Sequence, residues 1–212
     1  MNKILLTGFA TITVAASLRG QSFTNLNFED ADVSQSSGFV ATSDALPGWS
    51  AFSGTNQLST VVYNASGLAS YPVTLLGSNS FVLDGNFSVS LVGGSISQTG
   101  PIPSGSQSLL FDAASPYLLV SLGSENLSYT AIASDTNSYG LSYSTYVANI
   151  SAFAGQTETL TFSSLGPGQG GILDDIQFSP EAIPEPSMAS LFFLGSGVLF
   201  YVRKRRQTAL RC

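Results

Sequence analysis

The sequence has no histidine, and its single cysteine, Cys212, is the last residue. Its seven basic residues are Lys3, Arg19, Arg203, Lys204, Arg205, Arg206 and Arg211, so no Lys or Arg lies between 21 and 182. Each absence excludes a class of function. Without His or a second Cys there is no Ser-His-Asp or Cys-His arrangement and no His/Cys zinc site. Without a group that titrates near neutrality, ordinary acid–base catalysis has no obvious agent. No disulfide can form within the chain, so burial alone must hold the core. With no cation to neutralise phosphates, the middle of the chain has no means of binding nucleic acid.

Acidic residues fill that middle. All thirteen Asp and Glu except Glu185 lie between 21 and 182, and the overall net charge of −6 conceals this segregation. The segment can form no salt bridge and should attract cations, Ca²⁺ among them. Paired carboxylates can hydrolyse glycosides, but nothing in the sequence singles out a pair.

Both ends read as address labels. Met1-Asn2-Lys3 is a positive start, Ile4 to Ala16 is apolar apart from three threonines, and small residues follow. This is the pattern of a secretory signal peptide, assigned to 1–20. At the other end, Pro184-Glu185-Pro186 precedes fifteen uncharged, largely apolar residues (188–202), and Arg203-Lys204-Arg205-Arg206 follows. The prolines favour an extended, accessible segment around Glu185. As a helix the apolar run would be about 22 Å long, short of the ~30 Å hydrocarbon core, and the basic cluster would stay on the cytoplasmic side.

This three-part tail, residues 183–206, resembles the PEP-CTERM protein-sorting signal. The resemblance implies export through the inner membrane of a Gram-negative-type bacterium, transient residence of 188–202 in that membrane, and processing by an exosortase. The destination would be the cell surface or extracellular matrix. The sorting residues would be Pro184, Glu185, Pro186, Arg203, Lys204, Arg205 and Arg206. The alternative is a plain C-terminal membrane anchor.

Residues 21–180 are rich in Ser, Thr, Gly, Asn, Val, Leu, Phe and Tyr, a strand-and-turn composition. Short runs recur every ten or so residues between turn signals. Strands are expected near Ser22–Phe28, Trp49–Ser53, Ser59–Tyr63, Phe81–Leu83, Ser95–Gln98, Ser108–Asp112, Leu118–Leu122, Ser128–Ala133, Tyr143–Ile150, Glu158–Phe162 and Ile172–Phe178. Eleven strands in one domain predict an all-β, two-sheet jelly-roll sandwich. It would be flanked by a signal helix (Lys3–Ala16) and a C-terminal hydrophobic helix (Ser187–Arg205), with a sorting tail at 181–212. Gly166 to Gly171 satisfies G-x-G-x-x-G but leads into a strand, which makes it a turn and not a dinucleotide site.

The ordered segments Asn25-Leu26-Asn27-Phe28-Glu29, Pro47-Gly48-Trp49, Ser95-Ile96-Ser97-Gln98, Ile150 to Thr157 and Leu173-Asp174-Asp175-Ile176 resemble the galactose-binding-like jelly roll of many carbohydrate-binding modules. In that family a Glu near the first strand and an Asp of the last can share a structural Ca²⁺; Glu29 and Asp174 are the matching positions. Alternation puts Ile172, Asp174, Ile176 and Phe178 on one face and Leu173, Asp175 and Gln177 on the other. Asp174 then sits on an otherwise apolar row, where an ionised carboxylate needs a partner. Three solutions stay open: a shared Ca²⁺ with Glu29, hydrogen bonds from backbone N–H groups, or protonation. The Trp49 position is core more often than sugar platform. Tyr63, Tyr71, Tyr117, Tyr139 and Tyr143 are the candidate platforms. Two readings result: a non-enzymatic surface or matrix protein, and a carbohydrate-binding module acting on extracellular polysaccharide.

Overall fold

A computed structural model describes residues 22–34, 37–64, 71–78, 81–114, 117–166 and 168–183. The expected signal helix, the C-terminal helix and every sorting-motif residue from Pro184 onward lie outside the described residues. Within them the chain is an all-β sandwich of one eight-stranded and one six-stranded sheet. No described helix is long and apolar enough to cross a membrane.

The eight-stranded sheet runs β1 (Gly38–Ala41), β4 (Thr60–Tyr63), β5 (Val73–Gly77), β6 (Phe87–Val92), β14 (Gly170–Ser179), β8 (Ser108–Ala114), β12 (Ser142–Asn149), β11 (Tyr129–Thr136). The six-stranded sheet runs β10 (Glu125–Asn126), β9 (Leu118–Leu122), β13 (Thr157–Ser164), β7 (Gly94–Pro101), β2 (Ser50–Ser53), β3 (Asn56–Leu58). Four antiparallel pairs nest one inside the next: β6 with β14, β7 with β13, β8 with β12, and β9 with β10. Successive pairs alternate between sheets until β10, which is the winding of a jelly roll. The β4–β5 contact is parallel.

Period-two burial explains how the sheets face each other. In β7 the alternation buries Ile96 and Gln98, while Ser95, Ser97 and Thr99 are more exposed. In β8, Leu109, Phe111 and Ala113 turn inward, and in β13 Leu160 and Phe162 do so. Phe111 and Phe162 meet across the sandwich edge-on at 5.3 Å, and Tyr129 and Tyr146 pack on Phe111 at 5.2 and 5.5 Å.

Two expected strands are not strands. Ser22–Phe28 is irregular because Asn25 (φ 50°) and Phe28 (φ 60°) take left-handed conformations, which close turns. The segment still seals the core: Phe28 is fully buried against Trp49 at 5.8 Å, and the Trp49 indole donates to the Asn25 carbonyl (2.9 Å). Trp49 is thus a core residue. Phe81–Leu83 is also irregular; Val82 and Leu83 form a second, smaller core with Leu76, Ala114 and Ile172. Strands β1, β3, β5, β6 and β10 had no counterpart in the sequence reading.

The expected faces of the last strand also need correction. Asp174 pairs with Asp112 and Gln177 with Leu110, so Asp175 and Ile176 together oppose the single residue Phe111. This is a β-bulge, with Asp175 at φ 41°. The extra residue reverses alternation part-way along. Leu173 and Ile176 enter the main core, whereas Ile172 joins the second core on the other side of the sheet. Asp174 shares Ile172's side by alternation. It faces outward, not into the sandwich, and is buried because the Phe81–Asn86 segment folds over it.

Candidate functional site

The second core forms the floor of a cleft on the outer face of the eight-stranded sheet. One wall is the segment around Val82–Asn86. The other is the β11–β12 turn, with Asp135, Thr136, Asn137, Ser138, Tyr139 and Tyr143. The cleft has a volume of about 470 Å³. Asn137 builds its own wall: its side-chain oxygen accepts from Tyr139 N (3.0 Å) and Leu141 N (2.9 Å). Its amide donates to the Val82 carbonyl at 2.7 Å, tying the two walls together. This is the local side-chain-to-backbone bonding at which Asn excels in turns.

The Val82–Asn86 wall is held from behind by two carboxylates. Glu29 Oε1 accepts from the backbone N–H of Asn86 (2.8 Å) and Phe87 (3.0 Å), and Oε2 from the Asn86 side-chain amide (2.7 Å). Asp174 Oδ2 accepts from Ser88 Oγ (2.5 Å) and Asp84 N (3.3 Å), and Oδ1 from Asp175 N (2.8 Å). Ser88 Oγ also accepts from Leu83 N at 2.9 Å. Gly85 lies between, at φ +62°, where a Cβ would come within 2.4 Å of Glu29 Oε1. The residue must be glycine both for its φ and for this approach.

The family-implied Ca²⁺ can be set against these donors. Every oxygen of Glu29 and Asp174 already faces an N–H or O–H hydrogen, whereas a hard cation needs six to eight oxygen lone pairs pointing at it. Among the described residues no three Asp, Glu, His or Cys side chains come together to hold a metal. The residues present do not fit a calcium ion in this arrangement. Asp175 is exposed in the bulge.

The cleft is electronegative throughout. Burial pushes the Asp174 carboxyl up to about 7, against the lowering effect of the Ser88, Asp175 and Asp84 donors; the Asp175 charge adds to the rise. Burial also raises Asp112, followed by a hydrogen bond from Thr145 that opposes it and by the charges of Asp175, Asp84 and Asp135, which reinforce it. The Tyr143 phenol is raised by burial and then by Asp135, Asp112, Asp84 and Asp174.

Of the five candidate tyrosines, the structure brings Tyr139 and Tyr143 into one cleft. Tyr63 is buried beside Phe87 (6.3 Å), Tyr71 meets Phe39 edge-on at 5.8 Å, and Tyr117 is exposed outside the cleft. Asp84, Asp135 and Asn137 were not singled out from sequence. Their signals were the turn triplet Asp84-Gly85-Asn86 and the Asn137-x-x-Gly140 spacing. An adjoining apolar hollow of about 310 Å³, lined by Phe81, Val92, Ala114, Leu141 and Ile172, extends along the same face. No protein-family model, curated protein or solved structure matches the chain.

Proposed function

We propose that this is an exported, non-enzymatic cell-surface or extracellular-matrix protein, delivered by its Pro-Glu-Pro tail and processed by an exosortase. The support is the order, spacing and position of Pro184-Glu185-Pro186, the apolar 188–202 run and Arg203–Arg206. The apolar run is short for an anchor that must cross ~30 Å, which favours a signal that is cut. Intact mass spectrometry of protein recovered from the cell surface and medium tests this. Loss of Arg203–Arg206 is expected; exported protein that retains its full C-terminus would refute it.

A second reading concerns what the sandwich does at its destination. It is favoured by one observation: Tyr139 and Tyr143 share a cleft with Asp84 and Asp135. Aromatic rings offer flat apolar surface to the C–H faces of a sugar, and carboxylates accept its hydroxyl protons. The cleft would bind neutral extracellular polysaccharide and repel acidic polymers, since no described residue carries a positive side chain. Catalysis is not part of this proposal. The group nearest neutrality, Asp174, is 2% exposed and lies under the wall, out of reach of a bound chain. A pull-down on neutral and acidic polysaccharides decides: saturable retention on a neutral polymer, lost in Tyr139→Ala, is expected. Equal retention of wild type and variant would sink it.

A further inference from the structure

We infer that Glu29 and Asp174 form a metal-free clamp, which fixes the Asp84–Ser88 wall of the cleft through that segment's own N–H and O–H groups. In the jelly-roll family that these segments resemble, such carboxylates can share a cation. Here five donors on one five-residue segment converge on two carboxylates: Asp84 N, Asn86 N, Asn86 Nδ2, Phe87 N and Ser88 Oγ. A sixth, Asp175 N, occupies the remaining oxygen of Asp174. No carboxylate oxygen is left over. Glu29 Oε1 and Asp174 Oδ2 accept two hydrogens each, so a cation at ~2.3–2.6 Å from either would displace donors, and among the described residues no third carboxylate stands by to complete a site.

The clamp also solves a problem that composition created. Each carboxylate needs hydrogen-bond donors, and among the described residues no Lys, Arg or His side chain supplies them. Charge-assisted hydrogen bonds from backbone N–H are the strong form of the bond and need no cation. The donors stand together because the turn at Gly85 brings the Asn86 and Phe87 N–H groups to the same Glu29 oxygen. Glu29 comes from the irregular first segment and Asp174 from the last strand, so the wall is held from both ends of the domain. A further bond, from Ile176 N in the bulge to the Leu26 carbonyl (3.0 Å), joins those two ends directly. The clamp leaves the carboxylate of Asp84 to face the cleft while its N–H is held from behind. It holds whether or not a saccharide is the ligand, since none of its tests uses one.

The decisive comparison is Glu29→Gln against Glu29→Ala in the full exported protein. An amide oxygen still accepts from Asn86 N and Phe87 N, so Glu29→Gln should keep most of the clamp; as a calcium ligand it would lose its charge and second oxygen and bind more weakly. Three readouts are expected. EDTA and excess CaCl₂ leave the wild-type Tm unchanged. Glu29→Ala lowers Tm by several degrees, and Glu29→Gln recovers most of that. Hydrogen exchange at the Asn86 and Phe87 amides is slow in wild type and Glu29→Gln and fast in Glu29→Ala. Should Glu29→Ala fail to fold, the wild-type calcium response and Glu29→Gln still decide. A Tm raised by CaCl₂ and lowered by EDTA in wild type, with that response weakened in Glu29→Gln, overturns the clamp, as does unprotected exchange at both amides in wild type.

Discussion

Asp174 and Asp112 stand directly opposite one another across the β14–β8 ladder, two carboxylates on adjacent strands with no Lys, Arg or His among the described residues to pair with them. Burial is the first cause of the raised pKa of each; hydrogen bonds oppose it, and the charges that add to it are Asp175 at Asp174, and Asp175, Asp84 and Asp135 at Asp112. The consequence for stability has a definite sign. Asp174 titrates near 3.8 when unfolded and at about 7 when folded. Between those values the native state holds a proton that the unfolded state has released. Stability from this group is therefore complete below 3.8 and is lost as pH rises toward 7. At about 1.36 kcal/mol per unit the full loss is about 4 kcal/mol. Chemical denaturation at about pH 5 and pH 8 should show a more stable domain at the lower pH, and Asp174→Asn should flatten much of the difference. A wild-type profile that rises across this window would contradict the assignment.

Gly85 makes a separate test of the same wall. Alanine there would hold a left-handed backbone and press its Cβ against Glu29 Oε1. Strain of both kinds should cost about 2 kcal/mol, read from urea midpoints. Alanine at Gly54, also at positive φ (+59°) but with open space around it, should cost less. Equal losses at the two sites would show that contact with Glu29 contributes nothing.

Much of this fold was legible in the sequence, and its errors have physical causes. Strands with a clean period of two, such as Thr157–Ser164 and Leu118–Leu122, were readable because one face packs on the core. Val73–Gly77 was missed because all five residues are buried, leaving no alternation to see. Phe87–Val92 carries the same period of two, Phe87, Val89 and Leu91 against Ser88 and Ser90, and was legible by that rule although it was not among the expected strands. The faces of β14 went wrong after Asp174 because a bulge adds one residue without leaving a Gly or Pro as a sign. The cleft was legible only in fragments. Tyr139 and Tyr143 were candidates, but Asp84 reaches them through a fold-over that no local pattern encodes.

At the centre of the sandwich, Phe111 should be the most costly single truncation. It touches Tyr129, Tyr146 and Phe162 within 5.5 Å and is fully buried. Phe111→Ala should destabilise by about 4 kcal/mol, through lost burial and the cavity left behind. Phe111→Leu should cost less. Thermal or urea unfolding gives the comparison, and a loss under about 1 kcal/mol for Ala would mean the two sheets do not meet at this residue.

Tyr139 and Tyr143 should separate binding from stability, although both line the cleft. Tyr139 is 67% exposed at the tip of the β11–β12 turn and packs in neither core. Its backbone N–H, not its ring, is what Asn137 holds. Tyr139→Ala should therefore change stability by no more than about 0.5 kcal/mol while removing a stacking surface. Tyr143 packs against the second core beside Leu76, Val82 and Ile172. Truncating it should lower stability by about 2 kcal/mol as well as affect the cleft. Tyr143→Phe keeps the ring and should preserve stability. If a neutral polysaccharide binds here, retention falls in Tyr139→Ala at wild-type Tm, a pattern that unfolding cannot produce. Retention unchanged in Tyr139→Ala but lost in Tyr143→Ala, in step with Tm, would place the binding surface elsewhere on the sandwich.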